Sequence, residues 1–139
     1  MKLYQTKAKK LTGSDFHEVN KKALNLYKEI KKKTKRRPHI RSTYFKKDKI
    51  FLELFWQHLF DHSNWRDRAR RLKYFPCAIE LIRKTTFEPE SKENPNKRTE
   101  ILHRFAGITK ENDMFFVQIK ENKRTGQKFL ISMFPLGQK

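Results

Sequence analysis

Three short stretches decide the fold of this chain: ILHRFAGI at 101–108, MFFVQIK at 114–120 and QKFLISMF at 127–134. Polar residues separate them, and Gly126 can supply the positive φ that a hairpin loop needs. Pro135 ends the third stretch because it cannot donate to a strand ladder. The pattern predicts three antiparallel strands, with the rest of the chain packed against them.

Side chains alternate between the two faces of each predicted strand. The second strand divides into an apolar face of Phe115, Val117 and Ile119 and a mixed face of Phe116, Gln118 and Lys120. In the third strand the alternation predicts an apolar face of Phe129, Ile131 and Met133, with Lys128, Leu130, Ser132 and Phe134 opposite. The first strand leaves open whether His103 or Arg104 faces the solvent.

The charge balance is the strongest global signal. Lysine and arginine total 34 against 15 acidic residues, a formal net charge of +19. Such a basic chain must either bind an anionic partner or tolerate large self-repulsion. Nucleic acid is the first candidate partner, with an acidic membrane surface as the competing one. No apolar run is long enough to span a bilayer and the N-terminus lacks a signal-peptide pattern, so we expect a soluble, cytoplasmic protein without membrane association.

The region before the strands has helical patterns. Asp15 and Glu18 form a capping-box pattern ahead of a helix that ends in the basic run 31–33. A buried helix is predicted from an Asp48 cap through residue 60, followed by helices at 65–72 and 77–84. His58 and His62 are spaced i, i+4 on the first of these, but no acidic or cysteine partner accompanies them, so no metal site is predicted.

The remaining segments complete the predicted domain. Residues 1–11 are expected to form a flexible basic arm or a short edge strand, residues 39–45 a further strand, and residues 87–99 an exposed loop. The single Cys77 excludes an internal disulfide and is expected to be a buried thiol. We therefore predict one α+β domain over residues 1–139, with N-terminal helices packed on a curved antiparallel sheet of about four strands.

The polar residues of these strands fit metal-independent cleavage of RNA. That reaction needs a base for the ribose 2′-OH, an acid for the leaving 5′-oxygen and cations for the phosphate. The predicted catalytic residues are His39, Arg41, His103, Arg104 and Ser132. The predicted RNA-binding residues are Arg36, Arg37, Gln118, Lys120 and Lys128. The absence of an acidic cluster argues against a magnesium-dependent nuclease, so neither metal nor cofactor is expected.

The strand region resembles the C-terminal hairpins of phage-associated toxin-like nucleases, the superfamily that groups barnase, EndoU, colicin D and RelE-type toxins. The resemblance covers residues 102–109, 116–121 and 128–135 and, more loosely, 36–41. Arg36 lies three residues before His39, and Ser132-Met133-Phe134 is similar to a Ser-x-aromatic element of the final strand. The resemblance implies a toxin-like endoribonuclease that cleaves tRNA or mRNA and is held in check by an acidic antitoxin or immunity protein.

Two alternatives stay open beside the enzyme. A non-catalytic nucleic-acid-binding protein of a phage or mobile element would need only the basic arm, the arginine-rich segment 65–71 and exposed aromatic residues. It predicts affinity spread over many basic residues, whereas an enzyme predicts that one or two substitutions remove activity but not binding. A peripheral membrane protein is the third reading.

Overall fold

Long strands of the C-terminal half form the centre of a seven-stranded mixed sheet in the computed structural model, which describes residues 2–61 and 64–136. The strands are β1 (Tyr4–Gln5), β2 (His39–Ser42), β3 (Asp48–Phe51), β4 (Glu90–Asn94), β5 (Lys97–Ile108), β6 (Met114–Asn122) and β7 (Lys128–Pro135). The helices are α1 (Phe16–Lys33), α2 (Glu53–Phe60), α3 (Trp65–Leu72) and α4 (Phe75–Lys84). The α+β class is confirmed, and the sheet is larger than the four strands predicted.

The sheet order is β1-β5-β6-β7-β3-β2, and β4 also pairs with β5. The β5, β6 and β7 strands form the predicted antiparallel meander. The sheet is mixed rather than purely antiparallel because β1 runs parallel to β5 and β3 runs parallel to β7. Local alternation cannot reveal these parallel pairs, since their partners lie far apart in the chain.

The helices and one face of the sheet enclose the core. Phe115, Val117 and Ile119 of β6 are fully buried on this core face, as their alternation predicted. Gly107 of β5 lies opposite Phe115, and a Cβ there would come within 2.6 Å of the Phe115 ring and 2.8 Å of Leu81. This glycine therefore allows α4 and β6 to approach β5 closely.

Local signals placed several elements correctly. The Asp15 carboxylate caps α1 by accepting from the Glu18 backbone N–H at 2.9 Å, and Glu18 reaches back to the N–H of Ser14. Gly126 has a φ of 75° in the β6–β7 turn. Cys77 is completely buried, and this burial raises the pKa of its thiol to about 11.

Two predicted segments were wrong, and one open alternative was decided. Residues 48–51 form β3 rather than the start of a helix, because Ile50 pairs beside Lys128 of β7. Residues 90–94, assigned to an exposed loop, form β4 and pair with β5. Of the two alternatives for residues 1–11, the short edge strand is present: Tyr4 and Gln5 form β1, and the Tyr4 hydroxyl donates to Glu80 at 2.8 Å.

A β-bulge reverses the predicted faces in the first part of β7, before Ile131, and leaves Ser132, Met133 and Phe134 on the predicted faces. Gln118 of β6 pairs with Ser132, whereas the next residue, Ile119, pairs with Leu130. Ile131 is the extra residue, so the alternation shifts by one on either side of it. As a result Lys128, Leu130 and Met133 face the core, and Phe129, Ser132 and Phe134 face the other way.

Candidate nucleic-acid interface

A groove with a volume of about 1020 Å³ lies over the sheet face opposite the core. We call this face of the sheet, from β5 through β6, β7 and β3 to β2, the open face. Its floor contains Leu102, Arg104, Phe116, Gln118, Lys120, Ile131, Ser132 and Phe134. One wall is formed by α2, which packs beside β7, and the other end by Asn94 and Glu100.

A row of polar side chains crosses the floor. Arg104 on β5 pairs with Gln118 on β6, which pairs with Ser132 on β7. Side chains at directly opposed positions are about 5 Å apart at Cβ, so these three form one continuous polar row. Neither Gln118 nor Ser132 has a side-chain hydrogen-bond partner within residues 2–61 and 64–136, which leaves both able to bond a ligand. The sequence prediction had placed all three residues in the site, and the fold brings them together.

Arg104 is the most available cation of the floor. Its exposed guanidinium lies 5.7 Å from the ring centroid of Phe116 and 5.6 Å from that of Phe134. Within the described chain no carboxylate comes within 4 Å of it. Stacking on two rings holds the planar group in place while its five N–H donors stay free. Such an arrangement suits a phosphate, since arginine binds oxyanions through two parallel hydrogen bonds.

Lys120 and Glu100 form a charged pair at one end of the groove. The Lys120 ammonium lies 3.4 Å from a Glu100 oxygen, and the carboxylate also accepts from the Asn94 amide at 3.1 Å. Burial acts to raise the pKa of Glu100, but the Asn94 hydrogen bond and the charge of Lys120 outweigh it and lower the pKa. The carboxylate is therefore ionised at neutral pH and held by both partners.

His58 is a groove residue that the sequence reading had left as structural. Leu54, Gln57, His58 and Asp61 follow one stripe of α2, and all four line the groove. The His58 side chain is 52% exposed, and its Nδ1 lies 3.8 Å from the Asp61 carboxylate. The i, i+3, i+4, i+7 spacing of these four residues was visible in the sequence. Because the predicted helix is apolar nearly all round, nothing in it indicated that this stripe would be exposed to solvent. His62 lies outside the described residues.

Arg71 of α3 adds a second arginine to the groove lining. It is 4% exposed, its Nε donates to Asp67 at 3.0 Å, and its guanidinium lies 5.5 Å from the Phe134 ring. Because this arginine is buried and paired, we assign it to supporting the Phe134 ring rather than to direct ligand binding.

His39 lies on the open face but outside the groove lining. The registers place His39 beside Phe51, Phe51 beside Phe129 and Phe129 beside Lys120, in one row across four strands. Two strand spacings separate His39 from β7, roughly 10 Å. Its Nδ1 lies 2.8 Å from the carbonyl oxygen of Arg37 and donates to it, so Nε2 of the neutral ring keeps a free lone pair.

The two neighbouring arginines differ in their surroundings. Arg37 pairs with Glu53 and stacks on Phe51 at 4.0 Å, with Phe129 at 5.7 Å. Arg36 is exposed on the connection between α1 and β2. Arg37 therefore lies at the open face with its charge already balanced, and Arg36 lies off the sheet.

Two predicted site residues face the core instead of the groove. His103 is 7% exposed, with Nδ1 2.6 Å from the Ser91 hydroxyl and Nε2 2.7 Å from a Glu121 oxygen. Lys128 is 6% exposed and donates to Asp48 at 2.8 Å. Both ring nitrogens of His103 are occupied, so the open question of the first strand is answered: Arg104 faces the groove and His103 does not. The β7 bulge accounts for the inward turn of Lys128.

Arg41 is also separate from the groove. It is exposed on the edge strand β2, and its Nη1 donates to the Lys47 carbonyl at 2.9 Å. It lines a different concavity, with Thr43, Lys47, Arg83 and Lys84. Strand β2 lies two strands away from β7, so Arg41 cannot share a substrate atom with Ser132.

Within residues 2–61 and 64–136, no group of three or more histidine, cysteine, aspartate or glutamate side chains is arranged to hold a metal ion. None of the helices in the same ranges is long and apolar enough to cross a membrane. Comparison of the chain with protein-family models, curated proteins and solved structures finds no match.

Proposed function

We propose that this protein is a metal-independent endoribonuclease that cleaves RNA in the groove over the open face. The observation that carries the proposal is the exposed guanidinium of Arg104, stacked on two aromatic rings and free of any carboxylate in the described chain. In a folded chain of net charge +19, this is the cation best placed to hold a phosphate over a concave surface.

The polar row supplies the phosphate contacts. Arg104 clamps the scissile phosphate, and Gln118 and Ser132 donate to its oxygens from the neighbouring strands. Donors fixed on rigid strands stabilise the charge that builds on the phosphate without reorganising during the reaction. Lys120 adds a second positive charge at the end of the row.

Glu100 and His58 are the groove residues suited to proton transfer. Glu100 is ionised at neutral pH and can accept the proton of the ribose 2′-OH. His58, on the α2 wall beyond β7, can donate a proton to the leaving 5′-oxygen. Glu100 lies on β5 and His58 on the α2 wall beyond β7, so the two groups flank the floor of the groove. His39, with its free Nε2, is the second histidine of the open face and lies farther along the same surface.

The partner follows from the same charge. The resemblance to toxin-like nucleases and the net charge of +19 both support an acidic protein inhibitor that covers the groove. Its carboxylates would take the place of RNA phosphates at Arg104.

The test is an incubation of the purified protein with labelled tRNA and with a structured mRNA in the presence of EDTA. We expect discrete fragments from the wild type, strong loss of cleavage in R104A and H58A, and a smaller effect of H39A. Two exposed residues away from the groove provide matched controls, R124A for the arginine charge and H17A for a histidine. Intact RNA with the wild type, or equal loss in R124A and R104A, would refute the proposal.

Non-catalytic RNA binding is the second candidate. It is favoured by the positions of His39 and His103, which leave His58 as the histidine of the described chain that lines the groove. Salt-sensitive binding of RNA that stays intact would select this function. R104A would then weaken RNA binding, and the RNA would stay intact with H58A as it does with the wild type.

A further inference from the structure

A second concave site of positive charge lies at the far edge of the sheet. It has a volume of about 640 Å³ and is lined by Arg41, Thr43, Lys47, Arg83 and Lys84. Arg41 belongs to β2, Lys47 to the β2–β3 turn, and Arg83 and Lys84 to the last turn of α4. We call this site the edge cluster.

Hydrogen bonds hold the edge cluster in place. The Thr43 hydroxyl donates to the Arg83 carbonyl, which ties the β2–β3 turn to the end of α4. Arg41 donates to the Lys47 carbonyl, and Lys47 has a φ of 71°. The turn is thus fastened at both sides, which places the four exposed cations along one shallow concavity.

None of the four cations has an acidic partner within 4 Å in the described chain. Lys84 acts at longer range on Glu80: burial acts to raise the pKa of this carboxyl, and its hydrogen bonds together with the charge of Lys84 lower it. Acidic side chains elsewhere in the described chain balance a minority of the 34 lysines and arginines, among them Lys10, Lys22, Arg37, Arg71, Lys97, Lys120, Lys123 and Lys128. What distinguishes the edge cluster is that four cations without such a partner line one concavity. The acidic residues near the edge cluster are already engaged. Asp48, next to Lys47 in the chain, pairs with Lys128, and Glu80 accepts from Tyr4 and from two backbone N–H groups.

Helix electrostatics explains part of the edge cluster, since cations stabilise a helix C-terminus. It explains Arg83 and Lys84 but not Arg41 and Lys47, which come from a strand and a turn. Four unpaired charges that share one concavity repel one another, and an anion bound among them would remove that cost.

We propose that the edge cluster binds the phosphate backbone of the RNA that occupies the groove, at a second contact away from the cleavage site. Arg41 and His39 lie on the same face of β2, so the edge cluster adjoins the open face that leads to the groove. Strand β2 lies three strand spacings from β6, roughly 14 Å. The lining has no apolar side chain to insert into a bilayer, which favours nucleic acid over an acidic membrane as the partner. The inference rests on the proposed function and adds that the substrate must extend beyond the groove.

The experiment measures binding separately from cleavage, using 2′-O-methyl oligonucleotides that cannot be cleaved. A short probe of about 4 nucleotides and a long one of about 16 bracket the usual sizes of single-strand sites. The variant is R83A/K84A, and the matched control is K31A/K32A, which also removes two exposed cations from the last turn of a helix. Thermal melting of each variant confirms that it is folded.

We expect R83A/K84A to bind the long probe about tenfold or more weakly than wild type, with unchanged affinity for the short probe. Loss of two phosphate contacts should make the slope of log affinity against log salt less steep by about 1.4. K31A/K32A should resemble wild type with both probes.

Three outcomes would overturn the inference: wild-type affinity of R83A/K84A for the long probe, equal losses for both probes, or equal losses in K31A/K32A. Loss of binding to phosphatidylserine vesicles with unchanged RNA affinity would assign the edge cluster to lipid instead. The proposed function is tested independently. Intact RNA in the cleavage assay would refute it, and the non-cleavable probes do not measure cleavage.

Discussion

Replacing Lys128 by methionine removes a cation that the sequence assigned to RNA binding and that the fold places in the core. Its side chain is 8% exposed, and the ammonium lies 2.8 Å from Asp48 and 3.9 Å from Glu121. Methionine keeps most of the aliphatic volume, so the change tests the charge rather than the packing.

The expected cost follows from the exposure of the two acidic partners. Removing one member of a buried ion pair costs about 3–5 kcal/mol when the other is left unpaired in the interior. Asp48 is 55% exposed and would be rehydrated, whereas Glu121 is 22% exposed and keeps only its bond to His103. We therefore expect a loss of about 2–3 kcal/mol. An unfolding entropy of about 0.3 kcal/mol per kelvin for a chain of this length converts this into a melting temperature about 7–10 °C lower.

The matched variant is R104M, which removes a cation from the open face. Arg104 is exposed and has no carboxylate partner among the described residues, so its loss forfeits an aromatic contact of about 0.5–1 kcal/mol and lowers the melting temperature by at most about 3 °C. Its effect on RNA should be the larger one, because a charge-assisted hydrogen bond to phosphate contributes about 1.5–3 kcal/mol, or tenfold or more in affinity.

The assay combines thermal unfolding by circular dichroism with binding of the long non-cleavable probe, both at neutral pH and one salt concentration. K128M should lose stability and keep its RNA affinity, and R104M should do the reverse. A K128M protein that melts with wild type, or that loses RNA affinity as R104M does, would refute the assignment of Lys128 to the core face and of Arg104 to the groove.

Three further predictions concern the parts of the fold that support the site. G107A should lower the free energy of unfolding, measured in urea, by about 1–3 kcal/mol, because the new Cβ would lie less than 3 Å from Phe115 and Leu81. G126A has open space around it and should cost only about 1 kcal/mol of backbone strain. Equal effects of the two substitutions would contradict the close packing at Gly107. Burial, aided by the Glu80 hydrogen bond, raises the pKa of Tyr4 from 10.0 to about 12, so its stabilisation is present below pH 10 and is lost as the pH rises toward 12. Urea unfolding of Y4F should therefore show a shallower decline than wild type over this range, and parallel profiles would argue against the contact. Burial raises the pKa of the Cys77 thiol to about 11. The native protein should therefore resist an aromatic disulfide reagent at about pH 8, and the unfolded protein should react fully. Rapid labelling of the native protein would show that the thiol is accessible.

The local features of the chain were readable from its sequence. The alternation of β6, the Asp15–Glu18 capping box, the left-handed Gly126 and the buried Cys77 all depend on residues a few positions apart. Three residues of the candidate site, Gln118, Lys120 and Ser132, could be placed on the correct face for the same reason. Each feature could be predicted because the residues that signal it lie a few positions apart, while the burial of Cys77 and of the β6 core face is completed by distant segments.

Only the tertiary structure decided which polar residues share the groove. The pairing of β5 with β6 decides which face of β5 lines the groove. A bulge opposite Gln118 turns Lys128 toward the core, and the position of α2 beside β7 leaves one stripe of that helix exposed to the groove. These are contacts between segments far apart in the chain, and a one-residue shift in register exchanges core and solvent for every side chain of a strand. The sequence alone therefore determined the kind of chemistry available, and the registers of the sheet determined that Arg104 rather than His103 reaches the groove.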